Sequence, residues 1–265
     1  MPLPIPDNQP IAIIGMECRL PGADSVDAFW TNVRNGVSSL GPVPAERLDR
    51  SLFFDPNIGK SNKPYEHLDD VTKTYTDLGG VIQYKPVDRS VCPMTDQLET
   101  NFDVAHLNLC EVASRACLDA KLDPRSLPFR NTGIYVGNTR GGNLGSDMVI
   151  SVRLPDTLRR LDNIEDFRAA MATLPKGTRE RLFEKTVERL CAGHPKRSFS
   201  GAPYTGANAA AILIGQTLKT NGPCLVFNSA CASSLQALFQ AVQALRLRSI
   251  EMAIVGGASF YHNIF

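Results

Sequence analysis

The sequence has no uninterrupted apolar stretch near the ~18 residues that a membrane-spanning helix requires. No spanning helix and no membrane partner are therefore expected. It also lacks an excess of charge of either sign. Lys and Arg number 28 against 27 Asp and Glu, for a formal net charge of +1, so nucleic acid is not an expected partner. Paired-thiol motifs are missing as well. The seven cysteines at 18, 92, 110, 117, 191, 224 and 231 are odd in number and contain no C-x-x-C. That predicts reduced thiols in the cytoplasm rather than a disulfide scaffold. The four histidines, His67, His106, His194 and His262, show no HExxH or other close pairing, so no metal site is expected. The opening MPLPIPDNQP lacks the basic and apolar regions of a secretory signal. With four prolines in ten residues, 1–10 read as an extended tail.

What remains is an ordinary globular composition, 43% hydrophobic and 21% charged. Short apolar runs at 11–15 (IAIIG), 133–138 (GIYVGN), 224–230 (CLVFNSA) and 252–259 (MAIVGGAS) have the length and continuity of buried strands. Between them lie helical patterns. Ser25 is placed to cap a helix carrying Val26, Phe29, Trp30 and Val33 on one side, with Gly36 to end it. Residues 40–90, rich in Pro, Gly and Asp, read as a surface excursion with short elements at most. A single long helix is predicted from Thr95 or Asp96 through Leu118, stopped by Asp123-Pro124. Two helical pieces are expected around 156–172 and 178–192. A small-residue helix covers 206–219, and a further helix runs from Cys231 to Leu247 with Leu235, Leu238, Phe239, Val242 and Leu245 on one stripe. Continuous apolar strands alternating with helices specify an α/β fold with a buried parallel sheet. The sequence stops six residues after the last strand with no closing helix, which predicts a fold cut before it is complete.

The segment with chemical content is Gly222-Pro223-Cys224-Leu225-Val226-Phe227-Asn228-Ser229-Ala230-Cys231-Ala232-Ser233-Ser234-Leu235. A strand runs straight into a helix with a cysteine at the junction and small residues on both sides of it. A nucleophile on so sharp a turn needs small flanks for a carbonyl to approach. The helix N-terminus supplies unsatisfied N–H groups and a partial positive charge, which favour thiolate over thiol. Cys231 is accordingly the candidate nucleophile, and its own backbone N–H a candidate oxyanion donor. The competing reading is a small buried hydrophobe. Cys224, in mid-strand, takes that reading, and the cysteines at 18, 92, 110, 117 and 191 are assigned to packing or surface.

Gly222-Pro223 followed by Ser229-Ala230-Cys231-Ala232-Ser233-Ser234-Leu235 resembles the active-site segment of β-ketoacyl synthases, whose usual form is a GPS…DTACSSSL string. Three further segments agree in order. IAIIGMECRLPGADSVDAFWTNVRNG resembles the family's opening strand, its R-[FL]-P-G-A loop and its F-W helix. NTGIYVGN resembles the strand before the Gly-rich region, and EMAIVGGAS the strand and glycine pair after the active-site helix. Ser229 stands where Thr is usual and Ala232 where Ser is usual. The GGVIQY and MTDQLE segments and the long insertion before the cysteine resemble iterative synthases of polyunsaturated fatty acid, enediyne or glycolipid type.

The resemblance implies the N-terminal half of a thiolase-like, layered αβαβα fold over residues 11–265, with a helical insertion at about 140–200. It implies an acyltransferase of fatty-acid or polyketide biosynthesis. The cysteine accepts an acyl group from a carrier-protein thioester and extends it by decarboxylative condensation with malonyl carrier. The implied partners are an acyl carrier protein, whose phosphopantetheine belongs to the carrier, and a second copy of the chain or the rest of a synthase; no cofactor is implied. Two histidines of the family's second half complete its site, and none of the four histidines here matches their motifs. The chain by itself is therefore expected not to condense. The alternative is a non-catalytic fragment or dimer-partner module; a Cys hydrolase would need a histidine base that no pattern supplies. Basic residues exceed acidic ones by eleven to seven over 151–200, which suits either carrier docking or a solvated helical face. Gly141-Gly142 suggests a phosphate loop but lacks the G-x-x-x-x-G-K pattern. Asn138 and Gly206-Ala207-Asn208 match segments near the family's tunnel and dimer contacts.

Overall fold

The computed structural model describes residues 9–45, 47–57, 73–83, 85–139, 163–175 and 204–259, with scattered positions between 142 and 185. Its centre is a parallel three-stranded sheet. β3 (Thr132–Gly137) lies between β4 (Cys224–Phe227) and β5 (Met252–Gly257). Ile134 pairs with Cys224 on one side and Ile254 on the other. Every residue of β3 is buried, as a strand paired on both edges and covered on both faces must be.

Strand alternation sorts the core into two layers. Ile134 and Val136 of β3, with Val226 and Ile254, face the larger cluster built by two helices, α4 (Val104–Asp119) and α6 (Ala209–Leu218). Tyr135, with Phe227 and Val255, faces the other side, where α7 (Ser233–Arg246) packs. Tyr135 and Phe227 stack with ring centroids 6.3 Å apart. Small residues set the spacing. Ala209, Ala210 and Ala211 of α6 are wholly buried, and a Cβ added to Gly215 would lie 2.6 Å from the Cys224 sulfur.

α1 (Val26–Arg34) forms as its sequence predicts. The Ser25 hydroxyl accepts from the Ala28 amide at 3.2 Å. Gly36 at φ 63° closes the helix, with its amide on the Val33 carbonyl and the Val37 amide on that of Asn32. Residues 40–90 hold only short elements among those described. These are β1 (Leu40–Pro42) paired antiparallel with β2 (Leu78–Gly80), and the four-residue α2 (Arg50–Phe53). The helix α5 (Glu165–Ala172) falls inside the first predicted piece of the insertion. Positions 178, 180–182, 184 and 185 of the second are helical, and the rest of that piece lies outside the described residues, as does nearly all of the 1–10 tail.

Three expectations are corrected. IAIIG forms no strand: Ile13 and Ile14 are 76% and 56% exposed. The run lies instead against the end of α4, where the Met16 amide donates to Asp119 at 3.0 Å and a Cβ on Gly15 would strike the backbone of Ala116 and Ala120. A strand exists only when a neighbour takes its backbone groups, and no described segment does so here. The long helix at 95–118 is two. α3 (Asp96–Asn101) ends at Phe102, and α4 restarts from Asp103, whose carboxylate accepts from the amides of Ala105 and Leu144, both at 2.8 Å. Phe102 is wholly buried and stacks on Tyr204 with centroids 4.3 Å apart, which holds the chain extended there. α4 then ends at Ala120, with Lys121 at φ 62°, before Asp123-Pro124 is reached. Finally, α7 docks through Ala237 and Ala241, leaving Leu235, Leu238 and Phe239 exposed.

A buried charge cluster ties the loop before α1 to α4. Arg19 Nη2 donates to Glu111 Oε1 at 2.9 Å and its Nη1 donates to Asn108 Oδ1. Arg115 Nε reaches the same Glu111 oxygen at 2.9 Å, and the Asp88 amide donates to the other at 3.3 Å. The side chains of Arg19 and Glu111 are 6% and 3% exposed. Removing one partner strands a buried charge, so Glu111→Gln is expected to lower unfolding free energy by about 3–5 kcal/mol in denaturant titration. Glu99→Gln, at the exposed pair with Arg89, leaves the midpoint essentially unmoved.

His106 on α4 is 1% exposed, and neither ring nitrogen has a hydrogen-bond partner among the described residues. Burial holds its imidazole below the ordinary 6.5, with the Asp103 carboxylate pulling the other way. The folded state therefore binds this proton less readily than the unfolded one. Stability is full above pH 6.5 and falls as pH drops from there toward the lowered value. Thermal melts between about pH 7 and 5 are expected to show that decline, and His106→Gln to flatten it.

Candidate active site

The junction between β4 and α7 is a tight, tied turn. After Phe227 the chain passes through Asn228 and Ser229 to Ala230, whose φ of 49° is left-handed. That conformation costs an L-residue roughly 1–2 kcal/mol. The first turn of α7 holds it in place. The Ser233 hydroxyl donates to the Ala230 carbonyl at 2.6 Å and accepts from the Ser229 amide at 2.9 Å. The amides of Ala232 and Ser233 bond the carbonyls of Ser229 and Ala230. Cys231 is thus lifted out of the ladder just ahead of Ala232, the residue that caps the helix.

The floor beneath this turn is glycine. A Cβ on Gly137, the last residue of β3, would lie 2.5 Å from the Ser234 amide nitrogen; one on Gly257, the last residue of β5, would lie 2.9 Å from the Ser234 Cβ. Both glycines exist because the helix start sits directly on the carboxyl ends of the two strands. Beside them, the Asn138 amide donates to the Phe227 carbonyl at 3.0 Å and its side-chain nitrogen to the Ala207 carbonyl at 3.3 Å. Asn138 and Gly206-Ala207-Asn208, far apart in sequence, therefore meet at the same edge of the sheet as Cys231.

The described cysteines are all free and fall into distinct environments. Cys92, Cys110 and Cys117 are buried, Cys18 and Cys224 half-buried, and Cys231 exposed; Cys191 lies outside the described residues. Burial pushes the Cys117 thiol up to about 11 and that of Cys110 well above its usual range. It raises Cys18 and Cys224 as well. The thiol and amide of Cys231 have no hydrogen-bond partner among the described residues. A surface thiol on a strained turn, above the amide end of a 14-residue helix, is open to an incoming carbonyl in a way that none of the buried thiols is.

No described histidine meets this thiol. His106 is buried on α4, its ring nitrogens without a hydrogen-bond partner among the described residues, and His67, His194 and His262 lie outside the described residues. Of the glycine pair at 141–142, only Gly142 is described. Its φ is 80°, and a Cβ there would enter the Asp103 carboxylate. A carboxylate at that place opposes a phosphate. The basic run 151–200 is largely outside the described residues. What sequence reasoning missed is the Arg19–Glu111–Arg115 cluster. Its only local signal is the (i, i+4) spacing of Glu111 and Arg115. With iodoacetamide on the native protein, peptide mapping is expected to find Cys231 alkylated first, while Cys110 and Cys117 react only after denaturation.

Comparison with known proteins gives this geometry its family. Residues 8–263 match the model of the β-ketoacyl synthase N-terminal domain. The pikromycin polyketide synthase component PikAII of Streptomyces venezuelae is 29% identical over 262 residues, covering 96% of this chain and 5% of the relative. The polyketide synthase PksL of Bacillus subtilis (strain 168) is 27% identical over 249 residues, covering 94% of this chain and 4% of the relative. Among solved structures, the oxazolomycin ketosynthase domain OzmH KS7 of Streptomyces albus JA3453 superimposes with a TM-score of 0.61 at 21% identity, covering 95% of this chain and 34% of that one. The ketosynthase from module 6 of the bacillaene synthase of Bacillus subtilis 168 gives 0.59 at 21% identity, with 96% and 32% covered. The chain spans a small fraction of these multidomain relatives and about a third of each solved chain. Its α/β fold is the N-terminal part of the ketosynthase fold, and the chain belongs to the β-ketoacyl synthase N-terminal domain family.

Proposed function

We propose that this chain supplies the acyl-accepting nucleophile of a polyketide-type β-ketoacyl synthase, with Cys231 as the residue that carries the acyl group. The observation that supports it is the exposed thiol on the tied turn between β4 and α7, within a family match over residues 8–263. The Cys231 thiolate attacks the carbonyl of a carrier-bound acyl thioester. A new C–S bond forms, the carrier's C–S bond breaks, and the carrier leaves as a thiol after taking up a proton. The Cys231 amide, which no described group occupies, serves as one donor to the oxyanion. In the condensing step, loss of CO2 from a malonyl thioester leaves an enolate. It forms the new C–C bond at the acyl carbon and releases the Cys231 thiolate. By the family resemblance, two histidines outside the matched motifs of this chain stabilise that enolate.

The partners follow from the same reading: an acyl carrier protein bearing phosphopantetheine, and a second copy of the chain or further synthase segments. The apolar stripe of Leu235, Leu238 and Phe239 on α7, 69%, 44% and 54% exposed, supports such a covering partner. The six described cysteines are free, which favours the cytoplasm, and no helix among the described residues is long and apolar enough to cross a membrane. The reading requires no cofactor of the chain's own.

Intact mass after incubation with a short acyl thioester tests it. Residues 1–265 are expected to gain one acyl group, Cys231→Ser to gain no thioester, and neither to release CO2 from malonyl carrier. Absence of loading on the folded wild-type chain would favour the non-catalytic module instead.

A further inference from the structure

In a parallel sheet all strands point one way, so Cys231 at the carboxyl end of β4 leaves the amino end of the sheet unused. A cavity of about 530 Å³ opens there, between the C-terminal end of α6 and the loop that leads into β3. Cys224, the first residue of β4, forms part of its wall.

Three cations line this cavity, Arg125, Arg130 and Lys219, and its described lining includes no carboxylate. Arg125 is fixed in place: its Nη2 donates to the carbonyls of Arg89 at 3.0 Å and Ser90 at 2.8 Å, and its Nη1 meets Asp123 only at 4.0 Å. Arg130 and Lys219 have no acidic partner among the described residues. In a chain whose net charge is +1, this is a local concentration of positive charge. The carbonyl end of α6 offsets it by only about half an elementary charge. Leu127 and Phe129 give the rest of the wall an apolar character.

We propose that this cavity binds a small organic phosphate, a dianionic phosphate on an apolar body, independently of the acyl-transfer site. Guanidinium forks and an ammonium suit the several oxygens of a phosphate better than they suit a single carboxylate. Leu127 and Phe129 take the apolar body.

Cys224 provides the readout, because its half-buried thiol lines the cavity and is absent from the Cys231 turn. Phenyl phosphate is the probe, with phenol and inorganic phosphate as the two half-ligands. For an occupancy-limited rate, probe at about ten times its Kd slows iodoacetamide alkylation of Cys224 about tenfold. Peptide mapping on the full chain is expected to show that protection, with the rate at Cys231 unchanged, weaker protection by inorganic phosphate and none by phenol. The double variant Arg130→Gln, Lys219→Gln removes two exposed surface charges and is expected to abolish the protection. Raising the salt on the wild-type chain is expected to do the same without any substitution. The proposal is overturned if phenyl phosphate leaves the Cys224 rate unchanged, if the double variant is protected as well as wild type, or if protection follows protein concentration rather than probe. The last outcome would mean that a second copy of the chain covers the cavity.

Discussion

The structure turns on the contact between the start of one helix and the ends of two strands. α7 begins on top of Gly137 and Gly257, where Ser234 comes so near that no Cβ fits beneath it. That approach fixes the height of the helix over the sheet. Ala237 and Ala241 lie buried on the sheet side of α7, with Leu245 packed beside them, whereas Leu235, Leu238 and Phe239 are exposed. The turn before the helix inherits the constraint. It is drawn tight enough to force Ala230 left-handed, and the Ser233 hydroxyl bonds it on both sides. Cys231, on that turn, is exposed.

A second constraint keeps the periphery in register. The half-buried loop before α1 is not held by apolar burial, because Phe29, Trp30 and Val33 of that helix are 41%, 58% and 51% exposed. It is held by Arg19, which reaches into α4 and finds Glu111 and Asn108. A buried ion pair of this kind adds little net stability over an apolar substitute, but it is specific, because a misplaced partner leaves a charge uncompensated. Asp103 acts similarly on a smaller scale, capping α4 and accepting from the Leu144 amide with the same carboxylate.

The two ends of the sheet have opposite chemical character. At the carboxyl end, small residues and a thiol surround the amide terminus of α7. At the amino end, cationic side chains surround a cavity beside the carbonyl terminus of α6. Parallel strands make this polarity unavoidable: every connection into the sheet arrives at one end and every helix start departs from the other. The Cys231 thiol is placed at the start of a helix, and long cationic side chains gather where helix carbonyls do.

Much of this could be read from local pattern. β3, β4 and β5, the small-residue helix α6, the Ser25 cap with the Gly36 stop, and the position of Cys231 between strand and helix each depend on neighbours close in sequence. A strand's apolar run, a cap and a C-terminal glycine all act within a few residues. The failures share one cause. IAIIG has the composition of a strand, but a strand also needs a partner, and composition does not supply one. The break at Phe102 depends on Tyr204 and Leu144, and the Arg19 cluster on residues about 90 positions away. The height of α7 over the sheet depends on two glycines from other strands. The sequence by itself determined which segments are helix or strand and where the thiol lies along the chain. Only the tertiary structure decided what each face packs against and that the thiol is open, because burial and charge pairing belong to neighbours in space.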